Sequence, residues 1–409
     1  MTYQELRQKY PKFIFKSFSK EIIDGKLVLK FEYQTPPDLA FTHTLEISNL
    51  ENFGCDDVLI FNIGLSEMFS YWKATCSPIV EIQAGSLTSD QTAFWHKLFI
   101  RGMGEYYYKN QIDFTPDDFI VIKTTYTSPP TPSPKLGEGK SRGEVLVPVG
   151  GGKDSIVTLE LLKKHFKIIP MMINPVPAMI DVCNVASVEK PINIARHLDP
   201  RLLELKYLNG HVPLSASIAF ISILLGFKHV ALSNERSSDE GNTTYLGHNI
   251  NHQYSKSLEF ETDLNKYLEN ITHVKYFSFL RPLYELQITK LFIKYPQYFK
   301  VFTSCNKNFK IDPSTHPVGS LWCKTCPKCV SVALLLGSEI VTKIMGCYPP
   351  EMPENKAIMD GLLGLTPVKP FECVLTRDEA LGNIDMNSYM ENPNMPKEFE
   401  KILKSEYDH

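Results

Sequence analysis

Hydrophobic and polar positions follow their most regular pattern in the middle of the chain. Residues 144–149 alternate valines with other side chains, as a short buried strand does. Three glycines follow at 150–152, and apolar residues then recur at helical spacing over 156–162. The pattern predicts a strand, a glycine loop and a helix in direct succession.

Beyond this unit, short apolar runs alternate with helical patterns. They predict strands over residues 167–173, 203–208, 229–232 and just before 279, and helices over 189–197 and 215–227. Strands that alternate with helices indicate a parallel sheet with helices on both faces. We therefore predict an α/β fold built on a doubly wound parallel sheet.

The first part of the chain is richer in β-type runs. The elements predicted there are strands over residues 13–23, 26–33 and 42–47 and helices over 56–73 and 90–108. Asp24-Gly25 between the first two runs is a strong hairpin signal. This part is predicted to be a smaller α+β domain that precedes the parallel sheet.

A segment rich in Pro, Gly and Ser separates the two parts. It cannot bury enough surface to offset the entropy of ordering, so we predict an exposed linker. The predicted division is an N-terminal domain with a candidate substrate-binding role over 1–128, the linker over 129–143, a catalytic domain over 144–346 and a C-terminal extension packed on it over 347–409.

The glycine loop has the chemistry of a phosphate site. Unpaired N–H groups and the positive end of the helix dipole would face it. Lys153 adds a cation, Ser155 a hydroxyl and Asp154 a carboxylate that can hold Mg²⁺. The spacing differs from a Walker A motif. It resembles the pyrophosphate loop (PP-loop) of ATP pyrophosphatases, S-G-G-x-D-S, with Gly150 in the place of the first serine. An ordinary strand-to-helix turn is the alternative.

Parallel sheets bind ligands beyond the carboxyl ends of their strands, where the strand order reverses. This rule brings the glycine loop together with Asn174, residues 209–211 and residues 233–238, each of which follows a predicted strand. The candidate nucleotide-binding residues are Gly150, Gly151, Gly152, Lys153, Asp154, Ser155, Asn174, Ser233, Asn234, Glu235 and Arg236. Glu235 or Asp239 is a candidate Mg²⁺ ligand beside Asp154, and Arg236 can pair with a phosphate or carboxylate.

A polar stretch follows the last of these segments. The spacing from Asn251 onward suggests a helix with His252, Ser255, Lys256 and Glu259 on one side. A polar loop with a solvated helix is the alternative for any single residue, but the position of the cluster on the sheet favours binding.

Three cysteines, Cys323, Cys326 and Cys329, have C-x-x-C-x-x-C spacing. With Cys305 as a fourth ligand they can hold a structural zinc ion. The alternatives are buried thiols or one catalytic thiol. A similar knuckle occurs in 7-cyano-7-deazaguanine synthases, which share the PP-loop.

Composition limits the partners of the protein. The chain has 409 residues with 43% hydrophobic and 22% charged content, and its net charge of −3 indicates no general attraction to nucleic acid or anionic membranes. The first residues are charged where a signal peptide is apolar, and no run is long enough to span a bilayer. We expect a cytoplasmic protein, and nothing in the sequence indicates its oligomeric state.

Several stretches together carry a more specific resemblance. They are PVGGGKDSIVTLELL, NGHVP at 209–213, SNERS at 233–237, NHQYSKSLEFE at 251–261, WCKTCPKC at 322–329 and KPFECV at 369–374. The chain resembles the MurL family, the UDP-N-acetyl-α-D-muramoyl-L-alanyl-L-glutamate epimerases of bacterial cell-wall synthesis. The resemblance implies an inversion of the terminal L-glutamate of the UDP-linked muramoyl dipeptide that depends on ATP and Mg²⁺ and releases AMP and diphosphate.

Adenylation gives such an epimerase its chemical logic. Removing a proton beside a carboxylate builds a second negative charge on an anion, whereas an acyl-adenylate avoids it. Candidate proton carriers are His252, Lys256, His211 and Cys373, and an inversion can use two. The alternatives are an adenylating ligase or amidating synthase, similar to 7-cyano-7-deazaguanine synthase, and a tRNA-modifying PP-loop protein, which the negative charge disfavours.

Overall fold

A computed structural model describes residues 1–50, 56–125, 143–310 and 313–407. Its helices and strands are α1 (Tyr3–Lys9), β1 (Lys12–Ile23), β2 (Lys26–Thr35), β3 (Leu39–Ser48), α2 (Asp57–Glu67), α3 (Phe69–Trp72), β4 (Ile79–Ile82), α4 (Ser89–Gly102), α5 (Gly104–Lys109), β5 (Val121–Thr124), β6 (Glu144–Pro148), α6 (Lys153–Leu162), β7 (Lys167–Ile173), α7 (Pro177–Ala186), β8 (Ile192–His197), α8 (Pro200–Glu204), α9 (Leu214–Leu224), β9 (His229–Leu232), β10 (Thr243–Tyr245), β11 (His248–Ile250), α10 (Leu258–Leu268), β12 (Lys275–Ser278), α11 (Glu285–Phe292), α12 (Pro327–Leu336), α13 (Ser338–Met345), α14 (Lys356–Leu362), α15 (Arg377–Leu381) and α16 (Lys397–Tyr407). Within the described ranges, no helix has the length and apolar character needed to cross a membrane.

Within these described residues, ten strands form one sheet in the order β12-β9-β6-β7-β8-β3-β2-β1-β4-β5. The five strands β12, β9, β6, β7 and β8 are parallel to one another. Their order reverses between β6 and β9, because the chain moves from β6 to β7 and β8 on one side and returns to β9 on the other. This reversal is the switch point at which doubly wound sheets bind ligands. The predicted α/β class with a largely parallel sheet is confirmed.

Strand β8 corrects two of the sequence-based predictions. We predicted a helix over 189–197 and a strand over 203–208, but the chain forms β8 and then the short helix α8. Ile192 and Ile194 are buried while their neighbours are half-buried, which is the two-residue period of a strand. Asp199 caps α8 and Pro200 opens it, so the helix begins only after the strand ends.

The N-terminal strands continue the same sheet. β3 pairs antiparallel with β8, and β2 and β1 follow as hairpins, the first of which turns through Asp24 and Gly25 as predicted. An edge strand exposes unpaired backbone groups, and β3 covers those of β8. The boundary predicted at residue 128 is therefore not a boundary between two sheets. The linker predicted at 129–143 lies, except for Gly143, outside the described residues.

Side chains of the sheet alternate between two cores. Leu146 of β6 faces a core that includes α2, α4 and α9, whereas Val145 and Val147 face a second core with α6, α7, α11 and α12. Helix α16 at the end of the chain adds Phe399 and Leu403 to the second core. The sheet is thus covered on both faces, and its carboxyl edge stays open at the switch point.

Candidate active site

The glycine loop connects β6 to α6 at the switch point. Gly151 has a φ of +76°, and a Cβ on it would lie 3.2 Å from the backbone nitrogen of Met179. A Cβ on Gly152 would lie 2.8 Å from Oγ of Ser304. Gly152 is the N-cap of α6 and offers no side chain to its first turn. The N–H groups at the start of α6 therefore stay available to an anion.

Two adjoining cavities lie beside the loop. One, of about 310 Å³, lies between the glycine loop and the end of β9. The other, of about 820 Å³, is lined mainly by apolar side chains of β7, α7 and α9. Pro148, Gly150, Ile218 and Phe309 line both. The first, which we call the switch-point cavity, has the charged lining that a phosphate group requires. The second has the apolar surface that the base of a nucleotide requires.

The carboxylates and lysines of the loop are arranged around the switch-point cavity. Asp154 lines it, but Lys153 lies behind it, only 1% exposed. Nζ of Lys153 is 2.5 Å from Oδ1 of Asp154 and 3.1 Å from Oε2 of Glu285. Burial lowers the pKa of Lys153, but these two carboxylates raise it above its usual value. Lys153 therefore pairs with Asp154 of the loop and Glu285 of α11 instead of reaching into the cavity.

The opposite wall comes from the end of β9. Ser233, Asn234 and Glu235 line the cavity as predicted from their position after the strand. Burial raises the pKa of Glu235 to about 7, and the charge of Glu285 adds to the rise. Two carboxylates of different strand ends, Asp154 and Glu235, thus face one cavity, which is the oxygen-rich ligand set that Mg²⁺ prefers.

Arg281 connects this wall to the segment that follows β11. It is fully buried, and its Nη1 donates to the Glu235 carbonyl at 2.6 Å and to Oγ of Ser238 at 2.8 Å. Its Nη2 donates to the carbonyl of Lys256. One guanidinium therefore fixes the backbone on both sides of the cavity.

Lys256 lies in a 3₁₀ turn over Tyr254–Lys256, and not in the helix that we predicted from Asn251. Ser257 caps α10, so the helix starts only at Leu258. Nζ of Lys256 is 3.1 Å from Sγ of Cys373, and both residues line the switch-point cavity. Burial raises the pKa of Cys373, but the Lys256 charge and the interaction with His252 lower it to about 5.

Behind Cys373 lie two histidines and a glutamate. Nδ1 of His252 hydrogen-bonds to the carboxylate of Glu105, and the rings of His252 and His211 are 4.0 Å apart. Burial lowers the pKa of His252, but Cys373 and Glu105 raise it to about 9. Burial lowers the pKa of His211 to about 3, and the His252 charge contributes. The four predicted proton carriers are thus brought together from three segments of the chain, since His252 and Lys256 share one of them.

Arg236 and Asn174, which were predicted to bind the nucleotide, do not line the switch-point cavity. The guanidinium of Arg236 lies 4.3 Å above the ring of Tyr284, and its Nη1 donates to Oγ of Ser388 at 2.7 Å. Oδ1 of Asn174 accepts from the backbone nitrogen of Arg196 at 2.7 Å, at the edge of the larger cavity. Ser155 lines the switch-point cavity but its hydroxyl donates to the Gly152 carbonyl at 2.9 Å.

Four residues of the site had no clear signal in the sequence. They are Glu105, Arg281, Glu285 and Lys328. Lys328 lines the switch-point cavity, and its position between Cys326 and Cys329 is the one hint that the sequence contained. The others lie in helices or turns whose local pattern is that of ordinary packed segments.

The cysteines form a compact cluster next to the cavity. The sulfurs of Cys305, Cys323, Cys326 and Cys329 all lie within 4.8 Å of one another. Cys326 and Cys329 are 3.5 Å apart and Cys323 and Cys329 3.8 Å. A tetrahedral zinc with Zn–S bonds of about 2.3 Å places its sulfurs about 3.8 Å apart. The four thiols fit a zinc ion.

Comparison with known proteins assigns the chain to a family. The model of the MurL N-terminal domain matches residues 4–279, and that of the MurL C-terminal domain matches residues 301–402. The chain belongs to the MurL family. The two MurL regions meet at the site, because Asp154, Glu235 and Lys256 come from the first and Lys328 and Cys373 from the second.

Curated relatives carry one name, UDP-N-acetyl-alpha-D-muramoyl-L-alanyl-L-glutamate epimerase. The protein from Salinispora tropica is 34% identical over 76% of this chain and 69% of its own. The protein from Micromonospora sp. is 31% identical over 90% and 85%. The protein from Xanthomonas oryzae pv. oryzae is 31% identical over 75% and 69%. No solved structure matches the chain.

Proposed function

We propose that this protein is an ATP-dependent epimerase that inverts the terminal L-glutamate of UDP-MurNAc-L-Ala-L-Glu to D-glutamate. The names of its MurL relatives support the reaction and the substrate. One structural observation supports the use of ATP. Asp154 of the phosphate-type loop and two of the candidate proton carriers, Lys256 and Cys373, line the same cavity. Activation and proton transfer can therefore act on one bound glutamyl group.

The nucleotide binds in this proposal as expected for a PP-loop. The phosphates bind at the start of α6, with Lys328 as a cation on the cavity side. The base occupies the larger, apolar cavity beside β7. Asp154 and Glu235 are the residues that would hold Mg²⁺, which would neutralise phosphate charge when bound.

The reaction begins with the carboxylate next to the carbon that inverts. Its oxygen attacks the α-phosphorus of ATP, diphosphate leaves, and a mixed anhydride with AMP forms. Loss of the carboxylate charge lowers the barrier to removing the neighbouring proton. A base on the protein takes that proton, a proton is added to the opposite face, and water then releases the acid and AMP.

The cysteine cluster has a structural role in this proposal. Zinc bound by Cys305, Cys323, Cys326 and Cys329 closes the segment that carries Lys328. A zinc ion there would do no chemistry, because four sulfur ligands would leave no open position for substrate or water.

The test is an assay with ATP, Mg²⁺ and the UDP-linked L-Ala-L-Glu precursor, without ammonia. We expect AMP and diphosphate in step with D-glutamate, measured by nucleotide chromatography and chiral analysis of the hydrolysed product. Inversion at an undiminished rate without ATP would overturn the adenylate route. AMP that forms only after an amine is added would instead identify an adenylating ligase or amidating synthase.

A tRNA-modifying role is the remaining alternative. Binding of tRNA at physiological salt, together with no AMP from the muramoyl dipeptide, would favour it over the epimerase. The net charge of −3 provides no electrostatic support for such binding.

A further inference from the structure

Glu105, His252 and Cys373 form a row that leads from the interior of the protein to the switch-point cavity. The Glu105 carboxylate is 4% exposed and hydrogen-bonds to Nδ1 of His252. The segments that carry His252 and Cys373 are joined through Asn242, and the two groups shift each other's pKa toward the imidazolium and the thiolate. Of these three residues only Cys373 lines the switch-point cavity. The thiol is therefore the member of the row that a bound substrate can touch.

Backbone contacts hold the row together. Oδ1 of Asn242 accepts from the backbone nitrogen of His252 at 2.8 Å. Nδ2 of the same side chain donates to the Pro370 carbonyl at 2.7 Å, and the Asn242 carbonyl accepts from the nitrogen of Lys369 at 2.8 Å. One asparagine thus ties the segment that carries Cys373 to the segment that carries His252.

We propose that the Cys373 thiolate is the base that removes the α-proton of the activated glutamate, with His252 and Glu105 as positioning residues. This inference rests on the epimerase function proposed above. Lys256 provides the counter-charge for the thiolate from 3.1 Å away. The low pKa of Cys373, about 5, agrees with a thiolate at neutral pH.

The other candidate carriers fit this role less well. The pKa of Lys256 lies above its usual value, because the charges of Cys373 and Glu235 outweigh the effect of burial, so Lys256 is an ammonium and cannot accept a proton. His211 lies behind His252 and does not line the switch-point cavity. Lys256 and Cys373 are too close together to act on opposite faces of one carbon.

The proton balance follows from this geometry. The Cα–H bond breaks and its proton forms an S–H bond with Cys373. The electron pair of the broken bond moves to the acyl oxygen, which gives an enolate. The enolate electron pair returns to Cα, which takes a proton from a water molecule on the opposite face and leaves hydroxide. The Cys373 thiol releases its proton to solvent on its own side of the substrate, and that proton neutralises the hydroxide through solvent. Thiolate and water are restored, and the inverted product carries one solvent hydrogen.

The experiment measures AMP, chirality and deuterium at Cα in D₂O with the wild-type protein, Cys373→Ala and Cys373→Ser. We expect the wild type to give D-glutamate with one deuterium. Both variants should still form AMP but lose inversion and deuterium uptake by at least about 100-fold. Inversion in Cys373→Ala at the wild-type rate would overturn the assignment of the base. No AMP from the wild type would instead refute the proposed function, so the two failures differ.

A second measurement tests the positioning residues. The pH at which inversion is half-maximal should move upward by about one unit or more in Glu105→Gln. Loss of the carboxylate charge lowers the pKa of His252, so less imidazolium remains to stabilise the Cys373 thiolate. Asp113→Asn, an exposed acid close to it in sequence, should leave the profile unchanged. A pH profile of Glu105→Gln that matches the wild-type profile would contradict the positioning role of Glu105 and His252.

Metal analysis gives a further check, because ligand atoms of Glu105, His211 and His252 lie within 4.8 Å of one another. His211→Ala should not change the metal content of the protein. If this variant loses one metal ion per chain while the metal of the cysteine cluster stays, Glu105 and His252 are metal ligands and not positioning residues.

Discussion

Arg196 of β8 forms a paired contact with Glu67 of α2, although 129 residues separate them in sequence. Nη2 of Arg196 lies 2.6 Å and Nε 2.9 Å from Oε2 of Glu67, whose side chain is fully buried. The pair connects the strand next to β3 with a helix of the N-terminal part. It joins the two parts of the chain below the larger cavity, which Arg196 also lines.

Glu67→Gln should therefore destabilise the protein. The substitution leaves the Arg196 charge buried without its counter-charge, a change that typically costs about 3–5 kcal/mol. Chemical denaturation followed by circular dichroism measures the loss. Glu46→Gln removes a half-exposed partner of Lys26 and should cost about 1 kcal/mol or less. Equal losses in the two variants would contradict this account of the Arg196 pair.

Low pH should destabilise the protein in the same region, because unfolding allows His43 to bind a proton. Its Nδ1 lies 3.0 Å from the Tyr71 hydroxyl, and burial lowers its pKa to about 4, with the Arg196 charge contributing. The unfolded chain binds a proton near pH 6.5 and the folded chain only near pH 4, so the free energy of unfolding should fall as pH drops through this window. The loss from His43 is about 3 kcal/mol at most. Denaturation at several pH values should show a shallower slope for His43→Gln.

Asp154→Asn should abolish AMP formation while the fold stays intact. The carboxylate pairs with Lys153 at 2.5 Å and lines the switch-point cavity, so its charge serves the nucleotide site. We expect a loss of at least about 100-fold in AMP release from a protein that still folds, because Glu285 remains 3.1 Å from Nζ of Lys153 as its counter-charge. Asp181→Asn, an exposed residue of α7, serves as the matched control. AMP release at the wild-type rate in Asp154→Asn would mean that the glycine loop does not bind the nucleotide.

Lys328→Met should weaken binding of MgATP. Lys328 lines the switch-point cavity, and its charge lowers the pKa values of Glu235 and Cys373. Loss of this cation should raise the Kd for MgATP about tenfold, as measured by calorimetry. Lys324 lies between Cys323 and Cys326 but does not line the cavity, so Lys324→Met should bind normally. Similar affinities of the two variants would remove Lys328 from the site.

Cys326→Ser should release zinc and destabilise the protein. The four sulfurs are close enough for one ion, so loss of a ligand should reduce the bound zinc, measured by elemental analysis, and the free energy of unfolding by several kcal/mol. Cys347→Ser changes a thiol outside the cluster and should keep the metal. A wild-type protein without zinc would refute the structural role of the ion.

Local patterns in the sequence were enough for the glycine-loop unit. The valines of β6, the glycines and the periodicity of α6 act over neighbouring residues, as do the hairpin at Asp24-Gly25 and the spacing of the cysteines. The sequence did not predict elements whose secondary structure depends on pairing with distant strands. The run over 189–197 was predicted as a helix, and only pairing with β7 and β3 makes part of it the strand β8.

The sequence by itself determined the strand–loop–helix unit and the close spacing of Cys323, Cys326 and Cys329, because each depends on side chains close together in the chain. It also provided the residue types of the candidate site. Only the tertiary structure decided that Glu105 stands behind His252, that Arg281 fixes two loops and that Lys153 faces inward while Lys328 faces the cavity. These contacts join residues far apart in sequence. They arise from the order in which the strands pair and the helices pack, which no local period encodes.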